Sequence, residues 1–215
     1  LAVVGDESAV PVLAALLGDE KLSHYARFAL EPIPGKAVDA ALRDALNTVQ
    51  GTLKLGVINS IGARRDADAV PILKELLASE DAALADAAAS ALARIGTPDS
   101  VGILIEALAS AQGDRADSIA DALVIGADVL RQDGNKEQAV AAYRALRGAR
   151  LPVRYLIAAV RGEIGTAGDA GLALWEETAK SADDAMFAAA MGVARDLDPA
   201  AVVPRLTQLY AAAPA

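Results

Sequence analysis

His24 is the only histidine in the chain, and there is no cysteine. Thiolate nucleophiles, disulfides and Cys-ligated zinc are therefore excluded, and an imidazole-based engine has one place to stand. That place is Ser23-His24-Tyr25-Ala26-Arg27-Phe28-Ala29-Leu30-Glu31. Arg27 and Glu31 are four residues apart, which lets them pair along one helix. The segment reads either as a salt-bridged helix with a partly buried aromatic pair or as a polar recognition spot. His24, Tyr25, Arg27 and Glu31 are the first candidate partner-binding residues, with His24 and Tyr25 expected to face an inner groove. No catalytic residue, cofactor or metal site is assigned, and the chain is expected not to be an enzyme.

A second polar cluster is Asn59, Ser60, Arg64, Arg65 and Asp66. Asn59 and Ser60 stand inside an apolar helical stretch although both are poor helix formers. A buried asparagine needs hydrogen bonds, so Asn59 is expected to stitch neighbouring units through a backbone carbonyl. Arg64 and Arg65 follow Gly62, where cations meet the free carbonyls of a helix end. Asn59, Arg64 and Arg65 are the second candidate set, a ligand-binding role being the alternative to the structural one.

The third is basic. Arg144, Arg147, Arg150, Arg154 and Arg161 come without an acid among them, in a chain of net charge -9. Arg147, Arg150 and Arg154 are candidates for an anion or an acidic partner. The alternative is helix-end cations and solvated faces, balanced by acids of adjacent units. Nucleic acid is disfavoured by the overall charge and by the few aromatics in that stretch, Tyr143 and Tyr155. Asp114, Asp117 and Asp121 have the wrong spacing for a calcium loop. Gly165 to Gly171 lacks the Lys-Ser/Thr of a phosphate loop and reads as a turn. Trp175 is expected to pack between helices with its N–H partnered.

These residues must be positioned by repeated helices. A small residue, a branched apolar residue and a leucine-rich stripe recur at Ala9-Val10, Ala37-Val38, Ala69-Val70, Ser100-Val101, Ala139-Val140, Ala170-Gly171 and Ala201-Val202, at intervals of 28, 32, 31, 39, 31 and 31 residues. A helical period near thirty predicts a solenoid of helix pairs. In the first helix of a unit, Val70, Leu73, Leu76 and Leu77 share one face. Pro11 and Pro71 suit a first turn, where a missing N–H costs no hydrogen bond. Asp81 and Asp183 are placed to cap second helices over 82–95 and 184–197. The pairs Val4-Gly5, Ile61-Gly62, Ile95-Gly96 and Ile164-Gly165 predict helix ends with glycine in the left-handed cap. Pro32 and Pro34 predict a rigid break, and 114–132 one long helix. With 54% hydrophobic residues and 52 alanines but only 3% aromatics, the layers should be thin and closely packed. No run is long and apolar enough to predict a membrane span. The opening Leu1 to Asp6 resembles Leu92 to Thr97, the end of a helix, so the chain reads as a fragment of a longer array whose compartment is not assigned.

Gly5 to Pro11 and Asp81 to Val101, with Ala91-Leu92-Ala93-Arg94-Ile95-Gly96-Thr97-Pro98, resemble HEAT-like repeats of the short bacterial type. Gly134 to Leu146 resembles the opening of one tetratricopeptide unit. Ser23 to Glu31 and Gly56 to Asp66 are similar to arrays found in large multidomain bacterial proteins. The Asp81 unit departs from the pattern, having Asp86 and alanines where an arginine is usual. The resemblance implies an all-α, right-handed α-α superhelix of about six helix pairs, with residues 1–215 forming a single array. The function it implies is a non-catalytic scaffold that holds a protein or peptide segment, or a fused domain of the same chain, in its groove. A HEAT-like lyase or glycosylase and a passive spacer are the alternatives.

Overall fold

The computed structural model describes residues 5–211, and every element among them is helical. The expected helix ending at Val4-Gly5 lies outside the described residues. The chain divides into two compact units, one up to Ala107 and one from Leu108. In the first lie α1 (Val10–Ala15), α2 (Ser23–Leu30), α3 (Lys36–Ala45), α4 (Gly51–Arg64), α5 (Val70–Leu77) and α6 (Ala82–Ile95). The division falls inside α7 (Pro98–Ser110). The second holds α8 (Gly113–Gln132), α9 (Lys136–Gly148), α10 (Val153–Thr166), α11 (Asp169–Ala179), α12 (Asp184–Ala194) and α13 (Pro199–Ala211).

Within each unit like packs on like. In the first, α1 packs on α3, α2 on α4 and α4 on α6, while α3 meets α4 and α5 meets α6. In the second, α8 packs on α10, α10 on α12 and α11 on α13, while α9 meets α10 and α11 meets α12. Helices with the even labels are thus the second members of their pairs, and within each unit they pack in a layer of their own. The alternation among the described residues is that expected for about six pairs.

Local signals explain most boundaries. Pro11 and Pro71 occupy the first turns of α1 and α5. The Asp81 carboxylate accepts the Ala83 and Leu84 amides, and Asp183 accepts those of Ala185 and Met186. Two donors with no partner inside the helix are thereby satisfied at each start. Gly96 ends α6 with φ +64°. The leucine stripes are inside: Leu13, Leu73 and Leu104 are buried, as are Val10, Val70's neighbour Ala69 and Val101.

Two expectations about helix ends are corrected. The helix does not stop at Gly62 but runs on to Arg64, and Arg65 takes the left-handed turn with φ +55°. Gly62 is needed for a different reason: a Cβ there would lie 2.8 Å from the Ala91 Cα of α6. The absent side chain lets two helices cross in near backbone contact. Likewise α10 passes Gly165 to end at Thr166, and Gly168 carries the positive φ, +58°. The helix expected over 184–197 ends at Ala194.

Candidate functional site

In the first unit the candidates separate into two groups. Arg27 and Glu31 lie between α2 and α4. The Arg27 guanidinium rests on Gly56, where a Cβ would come within 2.6 Å of its Cζ. Its Nη1 donates to the Gly56 carbonyl at 3.1 Å and to Ser60 Oγ at 3.3 Å, and Ser60 Oγ donates to Glu31 Oε1 at 2.7 Å. The expected Arg27–Glu31 pairing along one helix is thus replaced by a relay through the buried Ser60 of the next second helix.

Arg64 is more deeply committed. Its Nη1 donates to the carbonyls of Glu31 and Ile33, both at 2.7 Å, and its Nη2 to that of Gly35 at 3.1 Å. Its Nε bonds Asp39. Here Pro32 and Pro34 break the chain, so no helix continues to satisfy these carbonyls, and Arg64 takes them instead. Arg65 Nε donates to the Ile95 carbonyl at 3.1 Å, at the end of α6. Both arginines serve the ends of neighbouring helices and not, as expected, their own. Arg43 closes on the buried Asp66 in the same region.

The outward group is different. His24 and Tyr25 are exposed, with their rings edge to face at 5.7 Å. Phe28, one turn beyond Tyr25, is exposed too. Asn59 is exposed on α4, which corrects the buried stitching role assigned to it; the adjacent Ser60 has that place. A helix turns 100° per residue, so a one-residue error in phase exchanges inside for outside.

In the second unit three of the candidate arginines find acids. Glu163, 3% exposed, accepts Arg144 Nε at 2.7 Å and Arg147 Nε at 3.0 Å. A carboxylate this buried needs such partners, because desolvation alone would expel its charge. Arg154 lies 4.4 Å over the Tyr155 ring and bonds Asp117 at 2.7 Å. Arg150 is exposed. Glu163 stands 19 and 16 residues from the two arginines it serves, and Asp117 37 residues from Arg154.

Tyr143 is buried, and its hydroxyl donates to Asp128 Oδ1 at 2.6 Å. Burial, and then the Asp128 carboxylate, push its phenol well above the ordinary value. The folded state therefore holds this proton where the unfolded chain releases it, above about pH 10. Stability from Tyr143 is complete below that pH and is lost as the pH rises beyond it. Tyr143→Phe should cost about 1 kcal/mol at neutral pH, and the gap from wild type should narrow above about pH 10. Urea midpoints measured across that range check this; a constant gap would mean the phenol does not titrate out of place.

Among the described residues no group of three His, Cys, Asp or Glu side chains is placed to hold a metal ion, and no helix is long and apolar enough to cross a membrane. Trp175 is fully buried and its Nε1 donates to the Ala190 carbonyl at 2.9 Å, as expected.

A family model described as HEAT repeats matches residues 39–124. No curated protein matches the sequence. Among solved structures, human deoxyhypusine hydroxylase in complex with glycerol is similar at 20% identity, with 93% of this chain and 77% of that one covered and a TM-score of 0.52. The complex of CpcE and CpcF of phycocyanin lyase from Nostoc sp. PCC7120 is similar at 19% identity, covering 86% and 75% with a TM-score of 0.51. These likenesses concern the fold. They do overturn the expectation that the chain is not an enzyme, which rested on its acidity and lone histidine, since the same architecture serves a hydroxylase and a lyase. The match to HEAT repeats is to residues 39–124, and the all-helical fold of the described residues resembles that of both solved structures.

Proposed function

We propose that this chain is a protein-interaction module that engages partners through exposed side chains on the second helices of each unit. One observation carries the reading. Both phenylalanines of the chain are exposed, Phe28 at 63% on α2 and Phe187 at 42% on α12, and Tyr25 beside Phe28 is exposed at 68%. Phenylalanine is among the residues most often buried, and aromatics are 3% of this chain. A protein with so few large anchors that leaves these in water has a use for them there, and aromatic side chains are the usual centres of binding energy at interfaces.

His24, Tyr25 and Asn59 extend the surface. Arg27, Glu31, Arg64 and Arg65 support it from beneath by fixing the helices that present it. On α6 the exposed residues are Ala82, Ala83, Asp86 and Arg94, with Ala87 and Ser90 half-buried, and none of them is aromatic. A spacer would look like α6 throughout. The partner is a protein or peptide segment, or another domain of the same polypeptide.

A photo-crosslinking amino acid placed singly at Tyr25, Phe28 and Phe187 tests this, with Lys74 of α5 and Glu137 of α9 as controls on first helices. Adducts to a second protein, or to a further domain, are expected from the first three positions only. Equal adduct yields at all five would end the proposal.

A further inference from the structure

Along α12, Phe187, Met191 and Arg195 recur every fourth residue and so share one side of the helix. Phe187 is exposed, Met191 is half-buried against the apolar core of the second unit, and Arg195 is exposed. A second arginine joins them from α10. Arg161 is exposed, and its Cζ would lie 4.0 Å from a Cβ at Gly192. The guanidinium therefore lies over α12 where that helix has no side chain, one turn from Arg195. Gly192 is what leaves the room.

Arg161 and Arg195, like the exposed Arg150, differ from the arginines of the unit that are tied to acids. Arg144 and Arg147 share Glu163, Arg154 has Asp117 and Arg205 has Glu176. Among the described residues neither Arg161 nor Arg195 has an ion-pair partner. The one acid on α12 itself is Asp184, in its first turn at the far end from Arg195, and Asp196 follows Arg195 beyond the helix end without an ion pair to it. A chain of net charge -9 thus keeps two unpaired cations side by side, next to an exposed aromatic ring and a thioether.

We infer that α10 and α12 form a docking face for an acidic partner segment, with an apolar anchor on Phe187 and Met191 and carboxylates on Arg161 and Arg195. This rests on the interaction reading above and names the partner's chemistry. Charge complementarity selects the occupant: a plain apolar segment leaves both guanidiniums unused, and a small anion leaves the ring and thioether unused. From Phe187 to Arg195 is eight residues of helix, about 12 Å. The matching segment carries an apolar side chain and two acids about that far apart, which is roughly four residues of extended chain. Guanidiniums suit this because they bind carboxylates in a two-pronged fashion.

The test pans a displayed random peptide library on the whole chain, then measures synthetic copies of the enriched peptides by fluorescence anisotropy. Enrichment of peptides with Phe, Leu or Met and two acids at that spacing is expected. Their affinity should fall about tenfold or more in Arg161→Glu with Arg195→Glu, and should weaken as salt rises. Circular dichroism should leave the variant's helicity unchanged, since both side chains lie on the surface. Phe187→Ser separates this inference from the broader one. Peptides lost in Phe187→Ser but indifferent to the arginines would overturn the acidic partner and leave the interaction reading standing. Peptides indifferent to both variants would overturn this face, and the broader reading would then stand or fall with crosslinking at Tyr25 and Phe28. Inorganic phosphate displacing the peptides as well as a competing acidic peptide would mark a simple anion site and overturn the inference.

Discussion

Trp175→Ala should lower the stability of the second unit by roughly 3–5 kcal/mol, the range for removing a large buried aromatic. Trp175 is fully enclosed with Val160, Ile164, Ala190, Val193 and Val202 around it, so one side chain ties α10, α11, α12 and α13 together. Alanine would leave a cavity among side chains held on packed helices, which fill it only in part. It would also remove the hydrogen bond that the indole N–H donates to the Ala190 carbonyl. Helical-repeat stability is a sum over neighbours, so the damage should stay local. Hydrogen exchange should show α10 to α13 losing protection while α4 and α6 keep theirs. Uniform loss across both units would mean that stability is not additive along this chain.

Gly62→Val should be the most damaging single change in the first unit. The new Cβ would meet a backbone atom of α6 at 2.8 Å, and a helix axis cannot turn aside as a flexible side chain can. Overpacking of this kind costs roughly 1–3 kcal/mol, and valine should reach the upper end. The reason can be separated from a capping role. If Gly62 mattered for a left-handed turn, Gly62→Asn would be tolerated, because asparagine adopts that conformation readily. Crossing helices predict that asparagine is at least as harmful as Gly62→Ala. Urea midpoints of the three variants decide the matter; a harmless asparagine beside a harmful alanine would refute the packing account.

That case shows where sequence reading succeeds and stops. Asp81 before α6, Asp183 before α12, the prolines at 11 and 71 and the break at Pro32 and Pro34 were all legible, because each acts on backbone groups within a few residues of itself. The long helix read over 114–132 is present as α8. Ile61-Gly62 and Ile95-Gly96 look alike on the page, yet one glycine packs and the other caps. Only Ala91, on another helix, tells them apart. Asn59 and Ser60 were seen together, but which one faced inward depended on a phase the apolar pattern did not fix.

The candidate surface was half legible for the same reason. His24 and Tyr25 were chosen by type and are outward. Arg27, Glu31 and Arg64 were chosen by type too, but their partners are some thirty residues away in sequence. Phe28 was passed over although it stands one turn from Tyr25, opposite the buried Ala26 and Leu30. Phe187 and Arg195 gave no signal of their own, and Arg161 was seen only as one of a run of arginines. An exposed phenylalanine is conspicuous only once its exposure is known, and an unpaired arginine only once the others have been paired.

Asp81 and Asp183 stand in corresponding places in the two units, each one residue ahead of a second helix and each holding the same two amides, two and three residues on. The instruction to begin that helix is therefore written inside the segment it governs and needs no distant partner to be read. A stretch of gene encoding such a pair could be copied, lost or moved within the array and still fold on arrival. Lengthening or shortening the protein during descent would then demand new surfaces only at the joints.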